Sequence, residues 1–264
     1  MVKLSISNIA WEAADDNLLY VRMKEIGYTG LEIAPTRVFS LYPYEKLSEA
    51  KKWAYNLKNT YGLSISSMQS IWFGRAERLF GTQAERNILI DYTKQAIKFA
   101  VAVGCGNLVF GSPKNRNRQI DEAEELAISF FKEIGCYAAD HNVILSLEAN
   151  PPIYQTNYIN TTKEAINLAK EVGTDGIRVN LDLGTVIENQ ECLEDYAADL
   201  SWIHHVHISE PNLKRVNCRD IHQELKALLD LGYSGYVSIE MQKGADVNTI
   251  FRIMEEVKEV YYEI

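Results

Sequence analysis

Four short apolar runs in the second half of the chain each end on a residue that can bind a metal or carry a proton. The run from Val143 ends on Glu148, the run from Val179 reaches Asp182, the run from His204 holds His207, and the run from Val237 reaches Glu240. Any one acid at a strand end can be a helix cap or a solvated loop residue. Three carboxylates and an imidazole on four successive runs are more specific, because like charges brought to one place repel unless something compensates them. A divalent cation does so. The donor set is oxygen-rich and fairly hard, which favours Mn²⁺ or Mg²⁺, with Mn²⁺ the first expectation and Co²⁺ and Zn²⁺ as alternatives.

The elements that must carry these residues alternate along the whole chain. Strands are expected at Lys3 to Ile9, Gly30 to Ala34, Leu63 to Met68, Asn107 to Phe110, Val143 to Glu148, Ile177 to Asp182, Ile203 to Ser209 and Tyr236 to Met241. Helices are expected at Asn17 to Ile26, Glu45 to Tyr61, Gln83 to Val103, Asp121 to His141, Thr162 to Val172, Glu191 to Leu200, Arg219 to Leu231 and Asp246 to Tyr262. In Asp121 to His141, apolar residues from Leu126 to Tyr137 recur mostly at three- and four-residue steps, with Asp121 available as N-cap. Gly27, Gly104, Gly173 and Gly232 follow helices, as left-handed C-terminal turns require. Leu145, Leu147, Val179, Leu181, Val237 and Ile239 suggest strands apolar on both faces. Eight such units in 264 residues, with no Gly-rich phosphate loop after the first strand and no linker, predict one α/β domain over residues 1–264, a single (β/α)₈ TIM barrel. Catalytic groups in that fold sit at the C-terminal ends of the strands, so Glu148, Asp182, His207 and Glu240 fall in one quadrant of the mouth.

The chain resembles the sugar phosphate isomerase/epimerase family, the xylose isomerase-like TIM barrels that include ketose 3-epimerases and inosose dehydratases. The resemblance covers essentially the whole chain and rests on Leu147-Glu148, Asn180-Leu181-Asp182, His205-Val206-His207-Ile208-Ser209-Glu210 and the segment Gly232 to Met241. It implies that Glu148, Asp182, His207 and Glu240 bind one metal, and that Glu148 and Glu240 exchange protons with a substrate carbon. The implied enzyme is a metal-dependent isomerase or epimerase of a small sugar or related polyhydroxylated carbonyl compound, in which a metal-stabilised enediolate forms as a Glu removes the α-proton. Two departures stand out. Thr185 occupies the position three residues after the metal Asp where the epimerases commonly have His, and the usual Pro-Gly-x-Gly of the loop after the seventh strand is replaced by residues 216–222. Dehydration of a keto-cyclitol or sugar therefore stays open, as does a non-catalytic sugar-binding role.

Residues around this quadrant form the candidate substrate site. Glu32 ends the second strand and either binds a substrate hydroxyl or caps a loop. Trp72 and Phe73 follow the third strand, where apolar rings can pack on the C–H face of a sugar. Lys114 and Arg116, with Arg118, make a cationic loop after the fourth strand suited to a carboxylate or phosphate. Glu210 and Arg215 lie in the loop after the seventh strand, Arg215 only approximately in register with a substrate-touching Arg of the family. His205 shares a face with His207 but lies deeper and is expected to support it by hydrogen bonding; His204 should point the other way.

Composition narrows the partners. Lys+Arg 27 against Asp+Glu 36 gives a net charge of −9, which opposes nucleic-acid binding, and five histidines with none before His141 are too few and too late for a three-metal endonuclease IV-type site. Cys105, Cys136, Cys192 and Cys218 form no C-x-x-C and read as free thiols. With no signal-like or membrane-spanning run, a cytoplasmic protein acting on a small carbohydrate is expected, without a nucleic-acid or membrane partner and with homo-oligomerisation open.

Overall fold

In the computed structural model, residues 2–119 and 124–262 are described. Eight parallel strands close on themselves in chain order: β1 (Lys3–Ser7), β2 (Gly30–Ile33), β3 (Ser64–Met68), β4 (Asn107–Phe110), β5 (Ile144–Glu148), β6 (Ile177–Asp182), β7 (Ile203–Ile208) and β8 (Tyr236–Ile239). Closure is by pairing of β1 with β8, from Lys3 opposite Tyr236 to Ile6 opposite Ile239. The helices are α1 (Asp16–Ile26), α2 (Pro35–Val38), α3 (Leu47–Tyr61), α4 (Gln83–Val103), α5 (Glu124–Asp140), α6 (Thr162–Val172), α7 (Leu183–Asn189), α8 (Asp220–Leu229) and α9 (Val247–Tyr262). The expected (β/α)₈ barrel is therefore the observed one. No helix among the described residues is long and apolar enough to cross a membrane.

Local sequence fixes where elements begin and end. Thr82 with Glu85, and Thr161 with Glu164, form reciprocal capping boxes at the starts of α4 and α6. Gly104 and Gly173 end those helices at φ of 70° and 62°, a left-handed geometry that costs a side-chain-bearing residue more. Asp121, expected to cap α5, lies outside the described residues. The expected helix from Glu191 to Leu200 is instead a 3₁₀ stretch, Leu193–Trp202, because the chain has already coiled into α7 directly off β6. Asp182 drives that early start: it is both the last residue of β6 and the N-cap of α7, accepting the Thr185 N–H at 2.8 Å.

The strands are not apolar on both faces. Leu145, Leu147, Val179, Leu181, Val237 and Ile239 belong to the hydrophobic core, whereas the alternate positions Ser146, Glu148, Asn180, Asp182 and Ser238 are buried and polar. Polar side chains of the inward face bond one another between strands: Ser5 bonds Ser66 at 2.6 Å, Ser146 bonds Asn107 at 2.6 Å, and Asn107 bonds Ser67 at 2.9 Å. The six apolar residues share one parity because each strand alternates with period two, packing its apolar face under the helices and its polar face into the barrel. The polar lumen carries the donors up to the mouth.

One buried group outside the lumen gives a stability prediction. His222 of α8 is buried with neither ring nitrogen hydrogen-bonded among the described residues, and burial, reinforced by the Arg219 charge, pushes its pKa down to about 4. The unfolded chain, with an ordinary imidazole, binds the proton first, so stability is lost as pH falls from about 6.5 towards 4 and levels off below. The full shift corresponds to about 3 kcal/mol, and His222→Leu should remove this acid limb in urea titrations run between pH 7 and 4.

Candidate metal and active site

At the C-terminal mouth, the Nδ1 of His207 lies 3.2 Å from Oε2 of Glu148 and 3.2 Å from Oε2 of Glu240. The opposite ring nitrogen, Nε2, is 2.9 Å from Oε2 of Glu32, which also meets Nε2 of His205 at 2.9 Å. A carboxylate can only accept, so Glu32 places the ring proton on Nε2 of His207 and leaves Nδ1 towards the two glutamates. Their remaining valences are filled by amides. Asn150 donates to Oε1 of Glu148 at 2.7 Å, Asn180 to its Oε2 at 2.8 Å, and Gln69 to Oε1 of Glu240 at 2.8 Å. Gly111 completes the cradle, since a Cβ there would sit 2.9 Å from Oε1 of Glu148.

The electrostatics follow from crowding buried acids around one imidazole. Burial opposes charge on His207, but Glu32, Glu240 and Glu148 outweigh it and hold its pKa well above the usual range. Burial, aided by repulsion from Glu148 and Glu32, raises the Glu240 carboxyl to about 7 despite His207. Glu148 stays below the usual carboxylate range: burial is outweighed by His207, Asn150 and Arg116. A second proton on His207 thus does the work that a cation would do. The donor set fits a divalent ion, since the ligand atoms of Glu148, His207 and Glu240 all lie within 4.8 Å of one another and Nδ1 exposes a lone pair when only Nε2 is protonated.

Asp182 stands outside that convergent trio. Register explains its position: Glu148 lies opposite Asn180, while Asp182 pairs with His207. Its Oδ2 accepts from the backbone and hydroxyl of Thr185 at 2.8 and 2.9 Å, and its Oδ1 accepts from Ser209. Burial and the Glu148 charge raise its pKa to about 6. Thr185 also reaches the Ala149 carbonyl at 2.8 Å, so its hydroxyl is held among protein groups.

Several expected substrate contacts are corrected by their surroundings. Glu32 is fully buried beneath His207 and touches two imidazoles, so it orients the ligand ring and cannot meet a substrate hydroxyl. His205 bonds the same carboxylate at 2.9 Å, so its link to His207 runs through Glu32. His204 does not point away from the barrel: its Nδ1 bonds Oδ1 of Asn107 at 2.9 Å across the barrel floor. Trp72 is core, its indole N–H bonded to Thr93 of α4 at 2.8 Å and its ring packed edge-on against Phe110 and Phe130. Apolar surface there is better buried under α4 and α5 than left at the mouth. Phe73 is exposed and lines a groove with Leu41 and Tyr42. Arg116 is fully buried and donates to the Glu148 carbonyl at 2.8 Å, Oδ1 of Asn150 at 2.9 Å and the Ile159 carbonyl at 3.2 Å, so its fork is unavailable to a substrate anion. Glu210 is buried and paired with Arg219; Lys114 and Arg215 are exposed.

The supporting amides Gln69, Asn150 and Asn180 were not singled out from the sequence. Asn150 and Asn180 each lie two residues from an acid of the site, a spacing that puts them on the same strand face or just past its end. Tyr154 is another addition: its hydroxyl accepts from the Asn212 N–H at 2.8 Å, and burial with the charges of Asp182, Glu148 and Glu240 raises its pKa to about 12.

No curated protein sequence matches the chain. Among solved structures, it is similar to a D-psicose 3-epimerase determined in the presence of D-fructose, with 15% identity, TM-score 0.79 and coverage of 99% of this chain and 100% of that one. It is also similar to a D-psicose 3-epimerase from Clostridium cellulolyticum H10 determined with D-tagatose (18% identity, TM-score 0.78, 98% of each chain). A third is the 3-keto-D-glucoside 4-epimerase of E. coli, at 19% identity and TM-score 0.77 over 98% of this chain and 99% of that one. These likenesses establish the fold, and the family model that matches residues 21–259 establishes the lineage: the chain belongs to the xylose isomerase-like TIM barrel family.

Proposed function

We propose that this protein is a divalent-metal-dependent isomerase or epimerase of a small sugar or related polyhydroxylated carbonyl compound. The observation that carries the reading is the pair of buried carboxylates, Glu148 and Glu240, meeting one imidazole nitrogen at equal distance while amides hold their outer oxygens. A cation bound by Glu148, His207 and Glu240, with Asp182 as the fourth ligand and Mn²⁺ the first choice, would neutralise these acids and polarise a substrate carbonyl and its neighbouring hydroxyl. Asp182 would hold such an ion through Oδ1, the oxygen that now accepts from Ser209, with Oδ2 kept by Thr185. Glu32 and His205 keep the His207 ring in one tautomer. Glu148 and Glu240 then serve as the proton-transfer pair on the substrate carbon, each held at its angle by Asn150, Asn180 or Gln69. The similarity in fold to structures of sugar epimerases supports this chemistry. A second reading, dehydration of a keto-cyclitol or sugar, begins with the same proton abstraction and is favoured by Thr185, which brings no imidazole to the substrate.

The test is a panel of ketoses, inososes and sugar phosphates incubated with Mn²⁺-loaded protein in D₂O, with NMR reading the position of deuterium. Deuterium on the carbon whose configuration changes supports the proposal; loss of water identifies the second reading. Product without deuterium indicates hydride transfer within the substrate. Metal uptake should also depend on pH. Protons on His207, on Glu240 near pH 7 and on Asp182 near pH 6 compete with the ion, so bound metal measured by elemental analysis should rise from pH 5 to pH 8. Protein that takes up no metal across that range overturns the metal-dependent reading.

A further inference from the structure

The opposite end of the barrel has an open cavity of about 770 Å³. Its lining comes from the N-terminal ends of strands, including Lys3 of β1, Ser64 of β3, Asn107 of β4, His204 of β7 and Tyr236 of β8, and His205 reaches it from inside the lumen. In a barrel plugged by apolar side chains this end would be dry and packed. Here the lumen stays polar down to its floor. We propose that the N-terminal mouth is a second binding site, taking an uncharged polyhydroxylated molecule of monosaccharide or cyclitol size.

The hydrogen-bond directions support that class of ligand. Oδ1 of Asn107 accepts from Ser146, and its amide donates to Ser67, so the same Oδ1 must also accept from Nδ1 of His204. That places the His204 proton on Nδ1 and leaves Nε2 an acceptor. Glu32 likewise fixes the His205 proton on Nε2, leaving its Nδ1 an acceptor. Two imidazole lone pairs suit hydroxyl donors. The half-buried Tyr236 ring lines the cavity with the Lys3 ammonium 5.4 Å from its centroid, so an aromatic edge is available to C–H groups beside a cationic donor. Among the described residues no Asp or Glu lines the cavity, so the lining shown offers a metal cation no carboxylate. The C-terminal ends of α4 and α8 face this end of the barrel and oppose the Lys3 charge, so the cavity is not a dedicated anion site.

The test does not depend on the catalytic reading. Full-length protein labelled with ¹⁵N-histidine is titrated with D-fructose and with myo-inositol, using inorganic phosphate as the charged control. The His204 imidazole signals, identified with His204→Gln, should shift to saturation with at least one uncharged compound. That shift should persist in Glu240→Gln, which alters only the far mouth, and disappear in Ser201→Trp, which fills the cavity from its exposed rim. Tyr236→Leu should weaken the same binding by up to about tenfold, the loss of one ring contact. Absence of a His204 shift, a shift with phosphate alone, or binding unchanged in Tyr236→Leu would overturn the proposal.

Discussion

Glu240→Gln is expected to lower kcat by about 10²- to 10⁴-fold on the substrate that the panel identifies, with a smaller loss of thermal stability than Glu148→Gln. The amide keeps the shape of the side chain and its Oε1 can still accept from Gln69, so the hydrogen bond at 2.8 Å survives while the base is lost. Glu148→Gln should be equally inactive but less stable. Both oxygens of Glu148 accept from amide donors, Asn150 on one side and Asn180 on the other, so an introduced NH₂ must face one of them donor to donor. A conflict of that kind in a buried site costs about 1–3 kcal/mol. Steady-state kinetics and thermal melts of the two variants separate these effects. Retained solvent exchange of the α-proton in one of them would identify the face on which the other glutamate acts. Wild-type turnover in both would move proton transfer to other residues.

The four acidic and imidazole positions were legible because they end successive strands and the strand pattern itself is strong. What could not be read was depth. Glu32 is the last residue but one of β2 and Glu148 ends β5, yet the first lies beneath the imidazole and the second beside it, because barrel stagger sets the height of each strand end and no local pattern records it. The same stagger sets Asn180, not Asp182, opposite Glu148. Trp72 shows a different limit: a ring just past a strand end can turn back under the next helix, and Thr93, twenty-one residues on, supplies the partner that decides it. Arg116 sits between Lys114 and Arg118 in a loop whose charge suits a substrate anion, and a charge-rich loop gives no sign of which member folds inward. The parity of the strands was present in the sequence, since Ser146, Glu148, Asn180, Asp182, Ser238 and Glu240 alternate with the apolar residues. Such a polar lumen runs against the usual apolar barrel interior.

The inward turn of Arg116 leads to the second large effect. Arg116→Met should destabilise the protein by about 3 kcal/mol or more, because three buried acceptors, the carbonyls of Glu148 and Ile159 and Oδ1 of Asn150, lose their donor together. Relief of the guanidinium's own burial offsets part of this: burial lowers its pKa to about 10, and its Nε has no partner among the described residues. The offset is small, since the charge is stabilised by Glu148 and lies 5.9 Å from the Phe110 ring centroid. Arg116→Lys is the more informative variant. An ammonium keeps the charge but cannot span the Glu148 carbonyl and the Asn150 side chain as a planar fork does. Asn150 is then free to rotate, and Oε1 of Glu148 loses the donor that aims it. Metal affinity measured by calorimetry should therefore fall in Arg116→Lys while the melting temperature recovers much of the loss seen with Met. A lysine variant with wild-type metal affinity would mean that Arg116 serves only to hold the loops after β4 and β5 together.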